Sequence, residues 1–375
     1  MKKRAAAKPE SLPVCAVLLA GGRGTRFWPR SRTRMPKQLL NITGGETMLR
    51  ETVSRLEPIF GLRDFWVVTN IEQAAAVRKQ LPRMPAAHIL AEPVGRNTTA
   101  AIALAAVHLL HNHQDAVMTV LPSDSYVADA AHYRQLVRAA LDLARAPGNL
   151  VVFGVPPTRP ETGYGYIEAG SPAARIRGIR ALRVRRFTEK PALPAARGYV
   201  ASGRYFWNAG IFFWRVSTFL ECLCRFLPAT HSALMRLAET IGTRKYRAAL
   251  RRIYPTLENI SVDYAIMEPA ARAGDATRVS VIPAKVGWSD IGSWSAVYDL
   301  LASQRAANVS TGPSFALEAS GNYFWAPGKF IAAIGVHDLV VVETDDAILV
   351  CPRERAQDVG QIVRWLERQK LARLL

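Results

Sequence analysis

The sequence predicts an α/β fold: a mixed, mostly parallel sheet with helices on both faces, followed by a small C-terminal β unit. Three observations carry this. Residues 14–155 alternate apolar strand-like runs with helical stretches, the rhythm of βα crossovers. The first run, Val14–Leu19, ends in a glycine-rich loop, Ala20-Gly21-Gly22-Arg23-Gly24-Thr25-Arg26. From about residue 304, Gly, Asn and Pro separate short β-prone segments.

Taken in order, residues 14–19, 65–69, 88–91, 116–121 and 150–155 read as strands, with helices at 47–57, 73–81, 98–111 and 130–145 between them. The pattern then changes. Shorter strands are expected at 164–168 and 182–187, and a strand or hairpin at 205–213. Helices follow at 218–225, 233–250 and 262–267. The C-terminal unit shows β runs at 323–325, 330–334, 339–344 and 347–351, then a terminal helix at 355–371. This gives a flexible basic tail at 1–13, a nucleotide-handling α/β domain at 14–303 and a β unit at 304–375. The tail contains Lys8, Pro9 and Glu10 but no apolar core region, so a signal peptide is not expected and the cytoplasm is.

Composition narrows the function. The net charge of +19 suits phosphorylated substrates as well as nucleic acid, but the basic residues are spread along the chain without an aromatic–basic module. Nucleic-acid binding is therefore not expected. No apolar run reaches the 18 or so residues of a membrane span, so no membrane partner is expected. Cys15, Cys222, Cys224 and Cys351 have neither disulfide-framework nor zinc spacing. His108, His111 and His113 close a helix and read as solvated.

Glycines after a buried strand let the backbone approach an anion and aim N–H groups at it. Arg23, Arg26 and Lys37 add positive charge, so the loop reads as a phosphate cradle, with a plain surface turn as the alternative. It is not a P-loop, because GxxxxGK[ST] is absent, nor a dinucleotide fingerprint, because Phe27 occupies the third small position. Asp124 in LPSD and Asp290 in GWSDIG are a pair of carboxylates suited to Mg²⁺, although each can also be read as the cap of the helix after it. Lys190 in Glu189-Lys190-Pro191 offers a point charge to a second phosphate, or marks a turn. Gly165, between two tyrosines, and Asn208, in Trp207-Asn208-Ala209-Gly210, suit a sugar ring. Glu92-Pro93-Val94-Gly95-Arg96-Asn97 is a polar turn that opens a helix, either beside a nucleotide or as its cap.

As a set, GGRGTRFWPRSRTRMPKQ, EPVGRNT, LPSD, TGYGYIE, FTEKP, WNAGIF, SVDYAIME, GWSDIGSW, NYFWAP and ERAQDV resemble the mannose-1-phosphate guanylyltransferases in kind and order, over about residues 14–365. The resemblance implies a Rossmann-like, GT-A-like nucleotidyltransferase domain and a small left-handed β-helix. It implies transfer of GMP from GTP to mannose 1-phosphate with Mg²⁺. Gly21, Gly22, Gly24, Thr25, Arg26 and Lys37 would hold the triphosphate, with Arg23 at its charge centre. Asp124 and Asp290 would hold the metal. Lys190 would bind the sugar phosphate, Gly165, Glu189 and Asn208 the sugar, and Glu92, Pro93, Gly95, Arg96 and Asn97 would lie near guanine. A homodimer is compatible with the pattern.

The chain departs from the family at Ser125, where a histidine is usual, at Thr99-Ala100 in place of Ala-Pro, and at Ala209 in place of Ser. With Leu375 as its last residue, an appended isomerase domain is not expected. Two other readings stay open: a related enzyme using another base or hexose, and a catalytically silent nucleotide-sugar-binding regulator.

Overall fold

β1 (Val14–Leu19) is buried at four consecutive positions because it lies inside a parallel sheet covered on both faces. In this computed structural model, residues 12–273, 278–304 and 306–375 are described, so most of the tail expected at 1–13 lies outside them. β2 (Phe65–Asn70) and β3 (Ile89–Glu92) extend the sheet on one side of β1, and β4 (Val117–Pro122) pairs on the other, all parallel. α1 (Met48–Leu56), α2 (Ala74–Gln80), α3 (Asn97–His113) and α4 (Ala130–Ala144) occur in the connecting segments. Thr47 and Asp129 start α1 and α4 by accepting the N–H groups of Arg50 and His132, the usual N-cap device.

β5 (Tyr126–Val127) leaves the main sheet, and β6 (Asn149–Val155) returns to it. The hairpin β7 (Tyr166–Ile176) and β8 (Ile179–Thr188) is longer than the two short strands expected there. α5 (Leu193–Ser202) precedes β9 (Tyr205–Arg215), which enters between β4 and β6 and runs antiparallel to both. α6 (Val216–Phe226) is the helix expected at 218–225. The single helix expected at 233–250 is instead two, α7 (Pro228–Ala238) and α8 (Tyr246–Ile253), broken at a turn where Gly242 takes φ +80°. The segment expected as helix at 262–267 is a π-turn, Asp263–Met267, running into α9 (Glu268–Ala273). β10 (Arg278–Pro283) lies parallel to β6 and antiparallel to β8. Among the described residues the sheet has nine strands in the order β3-β2-β1-β4-β9-β6-β10-β8-β7.

Period-2 alternation splits the core into two layers. Val17, Met118, Val120 and Val152 face one side; Leu18, Leu121, Val151 and Phe153 face the other. α3 is buried almost all round, with Ala100 to Ala106 enclosed between the sheet and α6–α7. His108 on this helix is a correction to the solvated reading. It is half-buried, its Nε2 lies 2.7 Å from the Tyr246 hydroxyl, and burial pushes its pKa down to about 4.

β11 (Trp288–Ser289) pairs with β5, and α10 (Trp294–Leu301) leads out of the domain. The C-terminal unit contains β12 (Val309–Thr311), β13 (Ser314–Leu317), β14 (Tyr323–Trp325), β15 (Ile331–Ile334), β16 (Leu339–Glu343) and β17 (Ile348–Pro352). β12, β14 and β16 stack in parallel, as do β13 and β15, giving a β-helix-like coil. Fully buried Asn322 holds its turns by bonding Asn308 Oδ1, Val336 O and the N–H of Leu339. α11 (Val359–Arg368) packs back on the segment following the glycine loop, in a cluster that includes Phe27, Trp28, Trp294 and Val363. Among the described residues no helix is long and apolar enough to cross a membrane.

Candidate active site

The glycine loop leaves the carboxyl end of β1, where open α/β sheets place their ligands. Ala20 still donates to Val68 O at 2.8 Å. Beyond it, the N–H groups of Gly21, Gly22, Arg23 and Gly24 meet no acceptor among the described residues. The loop is shaped from below: buried Gln38 donates to Ala20 O at 2.7 Å and Gly22 O at 3.2 Å, and Ser31 Oγ donates to Gly24 O. Gly24 has φ +60°, and a Cβ there would sit 2.8 Å from the main-chain nitrogen of Lys37. Gly24→Ala should therefore combine left-handed strain with a backbone clash and cost at least about 2 kcal/mol. A drop in the urea midpoint at unchanged slope is the expected result.

Lys37 joins the parts. Only 5% exposed, its ammonium donates to Asp290 O at 2.5 Å and Asp124 O at 2.9 Å, and pairs with Asp124 Oδ2 at 3.0 Å. Two local features bring the aspartates there. Ser123 Oγ ties the LPSD turn to Leu19 O at 2.8 Å, and the β5–β11 ladder sets Tyr126 opposite Ser289. Asp290 is not the cap of α10; Ser293 holds that position. Its carboxylate accepts the Tyr164 hydroxyl at 2.5 Å, and burial plus that negative neighbour raise the phenol's pKa, keeping it protonated. Asp124 and Asp290 share one cleft of about 300 Å³ with Gly165, Glu189 and Asn208.

The donor set fits a hard cation. Asp124 Oδ1 and Asp290 Oδ2 carry no hydrogen bond or ion pair among the described residues. Mg²⁺ takes one or two carboxylates together with phosphate oxygens. Among the described residues no cluster of three or more His, Cys, Asp or Glu is arranged for a metal.

On the far wall, Gly165 leaves room for the Glu189 carboxylate, which a Cβ would overlap. Lys190 Nζ, on an exposed side chain, pairs with Glu189 Oε1 at 2.9 Å. Asn208 donates its N–H to Gly165 O at 2.8 Å and its amide Nδ2 to Asp263 Oδ1 at 2.7 Å. Asp263, given no role on sequence grounds, thus belongs to this wall. Burial, then the charge of Glu189, raises its pKa to about 7. Its signal was present in the SVDYAIME run.

Glu92 ends β3 with its carboxylate close to Gly21 and hydrogen-bonded to the Tyr254 hydroxyl at 2.5 Å. Pro93 and Gly95 follow on the loop. Arg96 is turned inward onto Pro255 O, and Asn97, at φ +62°, accepts the N–H of Thr98 at 2.9 Å, so both organise the start of α3. Burial raises the Glu92 pKa from 4.5 to about 7. A carboxyl whose pKa is raised on folding supports the fold fully below pH 4.5 and loses that support as pH rises through 7. Glu92→Gln stays neutral, so it should gain on the wild type across that window by on the order of 2–3 kcal/mol. Urea midpoints measured from pH 4 to 8 read this directly.

Arg23 and Arg26 turn toward the C-terminal unit. Arg23 Nη1 pairs with Glu367 at 2.6 Å and Arg26 Nη1 donates to Gln357 Oε1 at 2.6 Å. A Cβ on Gly360 would approach Thr25 Oγ1 to 3.3 Å. Arg26 also lines a cavity of about 490 Å³ that has Asp290, Arg159 and Arg353 in its walls.

Residues 15–306 match the family described as nucleotidyl transferase. The chain belongs to that family. Residues 313–366, most of the β-helix-like coil of this nucleotidyl transferase, match a second family, the MannoseP isomerase/GMP-like beta-helix domain. Among its relatives, the xanthan biosynthesis protein XanB of Xanthomonas campestris pv. campestris (strain B100) is 40% identical over 94% of this chain and 73% of its own length. The mannose-1-phosphate guanylyltransferase of Escherichia coli (strain K12) is 38% identical over 94% and 73%. A crystal structure described as a mannose-1-phosphate geranyltransferase from Thermus thermophilus superposes with a TM-score of 0.84 at 34% identity, over 95% of this chain and all of that one. Within the nucleotidyl transferases, this is an enzyme of the mannose-1-phosphate guanylyltransferase type.

Proposed function

We propose that the protein transfers GMP from GTP to α-D-mannose 1-phosphate, giving GDP-mannose and pyrophosphate. One observation carries the chemistry: a single buried ammonium, that of Lys37, joins the segments bearing Asp124 and Asp290 beside the open N–H groups of the glycine loop. The relatives named mannose-1-phosphate guanylyltransferase support the choice of base and sugar.

The sugar phosphate needs little activation. Its second pKa is near 6, roughly that of a phosphorylated side chain, so it is largely dianionic at neutral pH and requires no general base. One of its oxygens attacks the α-phosphorus in line. The bond from that phosphorus to the bridging β-oxygen breaks, and the electron pair leaves with pyrophosphate. The protein's task is to bring two anions together and stabilise charge as it moves to the leaving group. The loop N–H groups and the charge of Lys37 do this on the triphosphate side. Arg23 and Arg26 join them once the triphosphate competes them away from Glu367 and Gln357. Gly165, Glu189 and Asn208 take the sugar hydroxyls, Asp263 orients Asn208, and Lys190 meets the sugar phosphate. Asp124 and Asp290 would hold Mg²⁺, which supplies positive charge to the phosphate oxygens. The cytoplasm, where nucleoside triphosphates are made, is the compartment that fits this reaction.

Pyrophosphate release should be fastest with GTP plus mannose 1-phosphate in a panel of nucleoside triphosphates and hexose 1-phosphates, and should require Mg²⁺. Equal turnover with UTP plus glucose 1-phosphate would overturn the assignment.

A further inference from the structure

A cavity of about 660 Å³ runs along the exposed edge of β3, separate from the cleft of Asp124 and Asp290. Its walls come from β3, α2, the C-terminal turns of α3, and α8. Nothing in the chemistry above uses it. Three properties point to a ligand.

Its charge is one-sided. Arg78 from α2 and Arg247 and Arg251 from α8 line it, and no Asp or Glu does. None of the three makes an ion pair among the described residues; Arg78 has only a 3.4 Å bond to Ala86 O. Arginine forks left open around a concavity match phosphate geometry.

Part of its wall is apolar. Trp66 lies in the wall, 1% exposed and stacked on His88 at 3.9 Å between centroids, with Ile89 and Leu250 nearby. The Trp66 indole N–H is buried in this wall without a partner among the described residues. Behind it, His108 is engaged with Tyr246 and neutral at pH 7, so the positive charge lies with the arginines.

The wall is also built rather than incidental. α8 starts at Tyr246, beyond the turn that holds Gly242, and brings Arg247 and Arg251 into the cavity wall. We propose that this cavity is a second ligand site, one that takes a small organic phosphate carrying a flat ring, phosphate on the arginines and ring toward Trp66.

Calorimetric titration of the full chain with 1-naphthyl phosphate tests it. One molecule should bind per chain, and Arg247→Ser/Arg251→Ser should weaken binding at least about tenfold. Both arginines are exposed, so the double variant should unfold at the wild-type urea midpoint and release pyrophosphate at the wild-type rate. The cavity shares no lining residue with the cleft of Asp124 and Asp290, so saturating GTP should leave the probe in place. Absence of saturable binding, equal affinity in the double variant, or displacement of the probe by GTP would each overturn the proposal.

Discussion

Lys37→Met is expected to lower kcat for GDP-mannose synthesis by about 10²–10³-fold, because it removes a preorganised buried charge and unties the segments that carry Asp124 and Asp290. The side chain loses more than a charge. An ammonium has three donors, and here they are matched to Asp124 O, Asp290 O and the Asp124 carboxylate. Methionine fills the same space but leaves those two carbonyls without a donor in a part-buried setting, at roughly 1–3 kcal/mol each. The unfolding midpoint should therefore fall together with kcat. Arginine should not rescue, because its planar fork cannot reproduce a compact three-way contact beside the backbone of Gly24. Stopped-flow pyrophosphate release and a urea titration on the two variants separate these effects. Full kcat in Lys37→Met would take this residue out of the reaction.

Asp290→Asn is the second large effect. The amide is nearly isosteric, and its oxygen can still accept the Tyr164 hydroxyl, so the β5–β11 ladder and the fold should survive. What disappears is the negative charge facing the cleft. Turnover at saturating substrates should drop by at least about 10²-fold, and the Mg²⁺ concentration for half-maximal rate should rise. A rate within a few-fold of wild type, with an unshifted Mg²⁺ curve, would remove Asp290 from metal binding.

Local sequence carries the elements whose cause is local. The unbroken apolar run Val14–Leu19, bounded by glycines, reads as a buried parallel strand and is one. Helices with polar caps, such as the one begun by Asp129, are legible for the same reason. Most misreadings come from tertiary causes. The break at Gly242 is the exception, a local turn masked by apolar residues on both sides of it. The β7–β8 hairpin is longer than expected because its outer half is arginine-rich and part-exposed, which masks the strand period. His108 reads as solvated because the tyrosine that covers it lies 138 residues away. In the site, glycines and aspartates at strand ends are readable as types. Asp263 gains a role only through Asn208, which reaches it in the folded chain, and the outward pairing of Arg23 and Arg26 depends on residues more than 330 positions downstream.

That last separation has a bearing on synthesis at the ribosome. The glycine loop emerges early and β1 can pair soon after, yet Glu367, which grips Arg23, is translated 344 residues later. A nascent chain carrying the whole parallel sheet would still lack the clasp around its own anion cradle. The pair that holds Arg23 outward is thus among the last to form, and until Glu367 is made nothing competes with an anion for that guanidinium.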